Sequence, residues 1–230
     1  MWYKLKRIMM RPNGVEKQVR PSWRPWANAI AYYKFDWNLN DSSGNNRNLS
    51  IAAGTFTYGT ESWWGKYVYM PKNSYTNNYT SMRYDSSSYN ISLWAKRVAN
   101  VTAWWVVADF HTGWNYFPRM QFQTSFMQFV VGRTTPFPSG FDTGQWHHYC
   151  VSISNNSATC YIDWAYYWTG ALNSYNNNLP YFRLNTAWYA GSYAGESRDG
   201  MLSELIIESV PRTAQNVSDY YNQTKAKYWL

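Results

Sequence analysis

The residues that come closest to a catalytic pair are two glutamates, Glu204 and Glu208, in the stretch SELIIES. Glycoside hydrolysis uses two carboxylates about 5–5.5 Å apart in retaining enzymes and about 6.5–9.5 Å apart in inverting ones. On an extended strand, four residues separate the two glutamates by roughly 13 Å, which is too far for either mechanism. We therefore expect both on the polar face of a strand, with Leu205 and Ile207 buried, and we predict that the protein is not an enzyme.

The three histidines do not indicate a catalytic or metal site either. His147 and His148 are adjacent in a predicted strand, so their side chains point to opposite faces and cannot bind one ion together. His111 is isolated, and the Gly-x-Ser-x-Gly turn that presents a serine nucleophile does not occur. We expect these histidines to serve packing and hydrogen bonding.

A group of oxygen-bearing side chains follows the first predicted strand. Asp36, Asn38 and Asp41 carry the hard oxygen ligands that Ca²⁺ prefers. Asp41 also opens the run Asp-Ser-Ser-Gly, which is an ordinary turn sequence. Both a calcium site and a plain turn fit these residues, and we favour the turn.

Aromatic residues make up 20% of the chain and charged residues only 15%. Flat aromatic rings in loops can stack on sugars, so two regions are candidate glycan-binding platforms. With so many aromatic residues, packing in the core or in turns is the alternative for each. The candidate platform residues are Trp104, Trp105, Trp114 and Tyr116 in the first region and Trp188, Tyr189 and Tyr193 in the second.

The net charge of +8 is concentrated near the N-terminus. Residues 1–28 hold seven basic residues against one acidic residue, Glu16, which leaves +2 for the remaining chain. Because the predicted fold itself carries no basic stripe, we expect no specific nucleic-acid binding. We interpret residues 1–28 as a basic arm and linker that serves assembly, with a disordered tail as the alternative. The basic residues assigned to the arm are Lys4, Lys6, Arg7, Arg11 and Arg20.

The elements that position these residues are predicted to be β-strands. The stretch from Gly144 to Trp164 alternates with a period of two on either side of Asn155, which predicts a β-hairpin. Cys150 and Cys160 then face each other across the hairpin, as a disulfide or as two packed thiols. Further strands are predicted at 29–35, 67–70, 79–83, 90–96, 104–110, 120–126, 128–131, 188–190 and 201–209.

One helix is predicted at 213–227, with Thr213 as its N-cap. The residues expected on its buried side are Val217, Tyr220, Tyr221 and Thr224. Many short strands with a single helix predict an all-β, two-sheet antiparallel sandwich over residues 29–230. No apolar run long enough to span a membrane occurs, and no secretory signal peptide is recognisable.

Four stretches resemble, in the same order, the laminin-G-like or concanavalin-A-like jelly-roll domains. They are AYYKFDWNLNDSSG from Ala31, YNISLWAK from Tyr89, the central hairpin, and DGMLSELIIESVPRTAQNVSDYY from Asp199. The resemblance implies a lectin-like sandwich that works outside cells or on a surface. It is much less specific for an activity than for the fold.

Two tryptophans stand where the resembled family has glycine. Trp37 follows Phe35-Asp36 in place of Phe-Asp-Gly, and Trp164 follows Ile162-Asp163 in place of Val-Asp-Gly. Such turns often need a positive φ, which costs a bulky residue about 1–3 kcal/mol. One hypothesis is that the gene belongs to a bacterium or phage that reads UGA as glycine. The alternative is genuine tryptophan in exposed loops, where it can stack on sugars.

Two functions are compatible with these observations. The first is a non-catalytic, laminin-G-like binding module that recognises glycans or a cell-surface partner, located outside the cell or on the surface of a cell or virion. The alternative is a structural subunit or decoration protein of a phage virion, tail or surface filament, assembled as a homo-oligomer through the N-terminal arm. Neither function requires a cofactor beyond the Ca²⁺ considered above.

Overall fold

The computed structural model describes most of the chain from Asn28 onward. The described ranges are 28–61, 65–77, 88–98, 105–111, 119–122, 126–129, 134–137, 141–155, 157–171, 181–189, 192–194 and 198–228. The predicted arm, apart from Asn28, and the strand predicted at 79–83 lie outside the described residues.

Within these ranges most of the regular structure is β-strand. The strands are β1 (Ala29–Tyr33), β2 (Ser50–Ala53), β3 (Thr57–Glu61), β4 (Gly65–Met70), β5 (Tyr75–Asn77), β6 (Ser88–Arg97), β7 (Trp105–His111), β8 (Arg119–Phe122), β9 (Phe126–Phe129), β10 (Thr134–Pro136), β11 (His147–Ser154), β12 (Ser157–Ile162), β13 (Ala165–Ala171), β14 (Tyr181–Leu184), β15 (Ala187–Tyr189), β16 (Ser192–Ala194) and β17 (Gly200–Glu208). The helical elements are α1 (Ala214–Thr224) and a 3₁₀ helix (Lys225–Tyr228).

Two antiparallel sheets form the predicted β-sandwich. The larger sheet has the order β13-β12-β11-β6-β17-β4-β3. β4 pairs with the start of β17, and β1 pairs with its end. The smaller sheet has the order β10-β9-β8-β7-β14. Two short ribbons, β2 with β5 and β15 with β16, complete the pairing among the described residues.

The main core lies between the two sheets, where Leu93 and Val151 of the larger sheet share one apolar cluster with Phe122 and Phe182 of the smaller one. A second apolar cluster covers the other face of the larger sheet. It consists of Tyr32, Trp94, Trp146, Ile206, Tyr220, Tyr221 and Tyr228. Because both faces are covered, β6 is buried along almost its whole length instead of at alternate residues.

The face of β17 that was predicted to be polar is instead the face covered by this second cluster, to which the helical segment contributes Tyr220, Tyr221 and Tyr228. Leu205 and Ile207 are buried in the main core, as expected. Glu208 is also buried, with 3% of its surface exposed, which corrects the expectation of a solvated glutamate. Its carboxylate accepts hydrogen bonds from Asn90 Nδ2 at 2.9 Å and from Arg212 Nε at 2.5 Å, so the charge is compensated inside the protein.

The predicted helix forms as α1 followed directly by the 3₁₀ helix. Thr213 caps it: the Thr213 hydroxyl accepts from the Asn216 amide at 3.2 Å, and the Asn216 side chain accepts from the Thr213 amide at 3.3 Å. The buried residues of α1 are the four that the sequence placed on one side, Val217, Tyr220, Tyr221 and Thr224. Both the position of the helix and its buried face are therefore confirmed.

β11 and β12 form the predicted central hairpin, and Asn155 in its turn is left-handed with φ of +48°. The register pairs Cys150 with Tyr161 and Cys160 with Val151. The expected direct opposition of the two cysteines is therefore wrong by one residue, and a one-residue shift moves a side chain to the other face of a sheet. Both thiols are free and buried, on opposite faces, and burial raises the pKa of the Cys150 thiol to about 12.

Trp37 and Trp164 both have the positive φ that the sequence led us to expect, at 67° and 72°. The two residues are 57% and 53% exposed. Little packing energy is thus available to offset the left-handed backbone at either position.

Seven of the observed strands were not predicted: β2, β3, β5, β10, β13, β14 and β16. Five of them have only three or four residues, and β3 and β13 are largely exposed or half-buried. The alternation that identifies a strand therefore has too few residues, or too little burial, to stand out in the sequence.

Candidate functional site

A β-bulge interrupts β17 between Ser203 and Ile206. Within it, Glu204 has φ of +48°, a left-handed conformation that costs a residue with a side chain roughly 1–2 kcal/mol. After the bulge, Leu205 and Ile207 face the main core and Ile206 faces the second cluster, so all three are buried because both faces of the sheet are covered. Because bulges and strained residues concentrate at functional sites, Glu204 marks a candidate site.

Two neighbours hold the Glu204 side chain in place. Tyr220 Oη donates to one carboxylate oxygen at 2.7 Å, and the Lys227 ammonium group pairs with the other. Burial, together with the Glu204 charge, raises the pKa of Tyr220 and of Tyr32, so both phenols stay protonated at neutral pH. The bulge therefore presents a carboxylate whose position is fixed before any ligand arrives.

An open cleft of about 500 Å³ lies beside Glu204, between β1, β4, β17 and the C-terminal 3₁₀ helix. Its lining combines three lysines, two acidic residues, Tyr32 and two serines, of which Ser42 is exposed and Ser203 is buried. The charged residues are Lys34, Lys66, Lys227, Asp36 and Glu204. A cleft of this volume is within the range that holds small ligands.

Two of the three lysines in the cleft are paired with carboxylates, and the third lies beside an aromatic ring. Lys66 Nζ lies 3.4 Å from Asp36 Oδ1, and the two side chains are 39% and 45% exposed. Lys34 Nζ lies 5.7 Å from the centre of the Tyr32 ring, and Lys34 has no carboxylate partner among the described residues. The cleft thus offers ammonium and hydroxyl donors beside carboxylate acceptors, which is the chemistry that binds sugar hydroxyl groups.

The predicted aromatic platforms have different placements. Trp105 is completely buried, and its indole donates to Asn185 Oδ1 at 2.8 Å, so it belongs to the core and offers no surface to a sugar. The other three residues of that region, Trp104, Trp114 and Tyr116, lie outside the described residues. In the second region, the β15–β16 ribbon places Trp188 directly opposite Tyr193, with Tyr189 opposite Ser192.

The predicted calcium residues are engaged in a turn. The Asp41 carboxylate accepts from the amides of Tyr32 and Ser43, each at 2.9 Å, and from the Arg47 amide at 3.0 Å. These hydrogen bonds lower the pKa of Asp41 despite its partial burial. The Asn38 side chain accepts from the Asn40 amide at 2.8 Å. Such bonding is the turn chemistry that we favoured, and no group of three metal-ligating His, Cys, Asp or Glu residues exists in the described part of the chain.

The histidines of β11 point to opposite faces, as predicted. His147 Nδ1 lies 2.5 Å from Asp163 Oδ2. His148 is completely buried, and its Nε2 lies 2.7 Å from Ser92 Oγ. Burial, and then the charge of Arg212, lowers the pKa of His148. Because Ser92 and His148 are both buried, a substrate cannot reach the pair. We interpret the pair as part of the packing beneath α1.

The lysines and Glu204 of the cleft were not identified as a site from the sequence. They come from the segment directly after β1, from β4, from β17 and from the 3₁₀ helix, which are far apart along the chain. No local motif joins them, and the bulge that turns Glu204 toward the cleft is a backbone feature.

Fold and site together define a β-sandwich domain with a polar surface cleft. No protein-family model matches the sequence, and no curated protein matches it significantly. Among the described residues, no helix is long and apolar enough to cross a membrane.

Several solved structures share this fold. Domain 4 of AbnA, an extracellular family 43 arabinanase from Geobacillus stearothermophilus, was solved in complex with arabinotriose. It shares 21% sequence identity with this chain, with a TM-score of 0.65, and the match covers 84% of this chain and 97% of that domain.

Two toxin domains are also similar. The binding domain of Paraclostridial Mosquitocidal Protein 1 is 14% identical with a TM-score of 0.68, covering 87% of this chain and 53% of that one. The binding domain of botulinum neurotoxin DC, solved with rat synaptotagmin II, is 10% identical with a TM-score of 0.69, covering 87% and 52%. The chain therefore spans about half the length of these toxin domains. At these identities the likeness shows the fold alone.

Proposed function

We propose that this chain is a non-catalytic module that binds glycans on extracellular or cell-surface partners. The observation that carries the proposal is the cleft beside Glu204, where fixed carboxylate, ammonium and hydroxyl groups converge on the surface of a sandwich. The arabinotriose complex of the similar arabinanase domain supports a sugar as the ligand, and the synaptotagmin complex of the similar toxin domain supports recognition of surface partners.

The β15–β16 ribbon supplies a second surface for the same function. Trp188 and Tyr193 are partners in the backbone register of the ribbon. Aromatic residues are the residue type that stacks on sugar rings, which is why we propose the ribbon as a second site. The ribbon and the cleft are separate candidate subsites, so they are tested by separate substitutions.

The test is a glycan array probed with the full chain, with and without calcium. The affinities of the glycans that bind are then measured by calorimetry with two variants. Glu204→Gln removes the negative charge of Glu204 and preserves the shape of the side chain, and Trp188→Ala removes the indole from the ribbon. Lys72→Gln, an exposed lysine outside the cleft lining, is the control. Loss of affinity in Glu204→Gln assigns binding to the cleft, and loss only in Trp188→Ala assigns it to the ribbon. A full chain that binds no glycan overturns the proposal.

We also infer that residues 37 and 164 are glycine in the native protein, because its gene reads UGA as glycine. Both tryptophans combine a positive φ with an exposed side chain, and each follows an aspartate in a turn. The buried Trp94 contrasts with them, since its indole donates to Thr224 Oγ1 at 3.2 Å. The intact mass of protein from its natural source tests this inference. A mass that matches all 15 tryptophans overturns it.

A further inference from the structure

We propose that the cleft beside Glu204 binds an acidic glycan, with Lys34 receiving the carboxylate or sulfate group of one sugar. This inference rests on the proposed glycan-binding function and specifies the class of ligand for the same cleft. It is carried by the distribution of charge within the cleft.

The first argument is the surplus of positive charge. Three lysines and two carboxylates line the cleft, so its formal charge is positive by one. Lys227 is paired with Glu204, and Lys66 with Asp36. Lys34 has the Tyr32 ring as its neighbour and no carboxylate partner among the described residues. An exposed, unneutralised ammonium group beside a concave surface attracts an anion.

The second argument is the position of the negative charge. The Glu204 side chain is only 12% exposed and is held by Tyr220 and Lys227, so it marks the inner end of the cleft. A carboxylate there repels a second anion and accepts hydrogen bonds from hydroxyl groups. A ligand with one acidic group is therefore bound in a single orientation, with hydroxyls toward Glu204 and the anion toward Lys34.

The third argument concerns the Lys66–Asp36 pair, which lines the same cleft as Lys34. Both side chains are more than a third exposed and their charged atoms are 3.4 Å apart, so the pair is worth little in water. An arriving anion can therefore draw Lys66 away from Asp36 at small cost. Lys34 and Lys66 together then provide two donors for one carboxylate or sulfate group.

The experiment compares three oligosaccharide probes of equal length: oligogalacturonate, a sulfated galactan fragment and a neutral galactan fragment. Calorimetry with the full chain is run at low and at high salt. We expect the preferred acidic probe to bind at least about fivefold more tightly than the neutral one at low salt, and the difference to shrink at high salt because salt screens exposed charges. The carboxylated and sulfated probes show which acidic group is recognised.

Lys34→Gln is the decisive variant, and Lys72→Gln is its matched control. We expect Lys34→Gln to lower the affinity for the acidic probe about fivefold and to leave the affinity for the neutral probe unchanged. Equal binding of acidic and neutral probes, or equal effects of the two substitutions, overturns the acidic-glycan inference while glycan binding stands. Failure of all probes, and of the glycan array, overturns both proposals.

Discussion

At the scale of single residues, Trp37 and Trp164 impose the clearest cost on the fold. Both are left-handed and more than half exposed. Since glycine adopts this backbone without a steric penalty, we expect Trp37→Gly and Trp164→Gly each to raise the free energy of unfolding by about 1 kcal/mol. Urea denaturation followed by circular dichroism measures the change.

Alanine at the same positions separates backbone strain from side-chain contacts. Trp37→Ala and Trp164→Ala remove the same indoles but keep a Cβ atom at positive φ, so they retain the strain. Each glycine variant should therefore be more stable than its alanine partner. An alanine variant as stable as the glycine variant would show that the turns carry no strain.

His148 makes stability depend on pH. Burial, and then the positive charge of Arg212, lowers the pKa of the folded histidine well below 6.5. The other groups that face the ring are Ser92, Trp94, Tyr220 and Tyr221. The unfolded chain therefore binds a proton at His148 that the folded chain does not bind. The stability is complete above about pH 6.5 and decreases as the pH falls from there toward the folded pKa.

Urea denaturation between about pH 5 and 8 measures this effect. We expect the free energy of unfolding to fall by up to about 1.4 kcal/mol per pH unit below about pH 6.5. His148→Phe removes the titrating group and should flatten the profile over this range. A slope that persists in His148→Phe would assign it to other groups.

At the scale of elements, the N-cap of α1 has a measurable effect. Thr213 and Asn216 exchange hydrogen bonds between side chain and backbone in a capping box. Thr213→Ala removes one of these bonds and should lower the free energy of unfolding by about 1 kcal/mol, while Thr213→Ser should keep most of the stability. Thermal and urea denaturation of the three proteins test this, and equal losses in both variants would argue against capping.

The helix and the central hairpin could be predicted because their signals are local. Thr213 lies within a few residues of Val217, Tyr220 and Tyr221, and the alternation of the hairpin lies within a few residues of Asn155. The hairpin register could not be predicted, because Asn155 alone does not fix the centre of the turn to within one residue. That single residue decides whether Cys150 and Cys160 meet or lie on opposite faces.

The candidate site was missed for a related reason. A strict alternation along β17 places Glu204 and Glu208 together on a solvated face, but the bulge after Ser203 and the covering helix change the environment of both. A bulge leaves no reliable mark in one sequence, and the lysines that meet Glu204 come from other elements. The burial of Trp105 could not be predicted either. Its stretch is rich in aromatic and β-branched residues, and this composition fits a core strand and an aromatic loop equally well, so only tertiary packing decides between them.

At the scale of the whole molecule, the larger sheet separates two apolar clusters, and the C-terminal segment closes the outer one. α1 and the 3₁₀ helix contribute Tyr220, Tyr221 and Tyr228 to that cluster, which covers Trp94 and Trp146. Lys227 from the same segment also forms one wall of the cleft. Stability and the proposed binding site therefore depend on one terminal segment.

Ending the chain after Arg212 tests this dependence. The truncation exposes Trp94, Trp146 and Ile206, and each large apolar side chain contributes about 1.5–3 kcal/mol when buried, so the loss approaches the 5–15 kcal/mol that stabilises a typical domain. We expect the shortened protein to bind a hydrophobic dye, to melt at a much lower temperature and to lose affinity for any cleft ligand. Lys72→Gln, the exposed substitution used above, is the control and should leave the melting temperature unchanged. A protein shortened after Arg212 that melts like the full chain would contradict the role assigned to the helical segment.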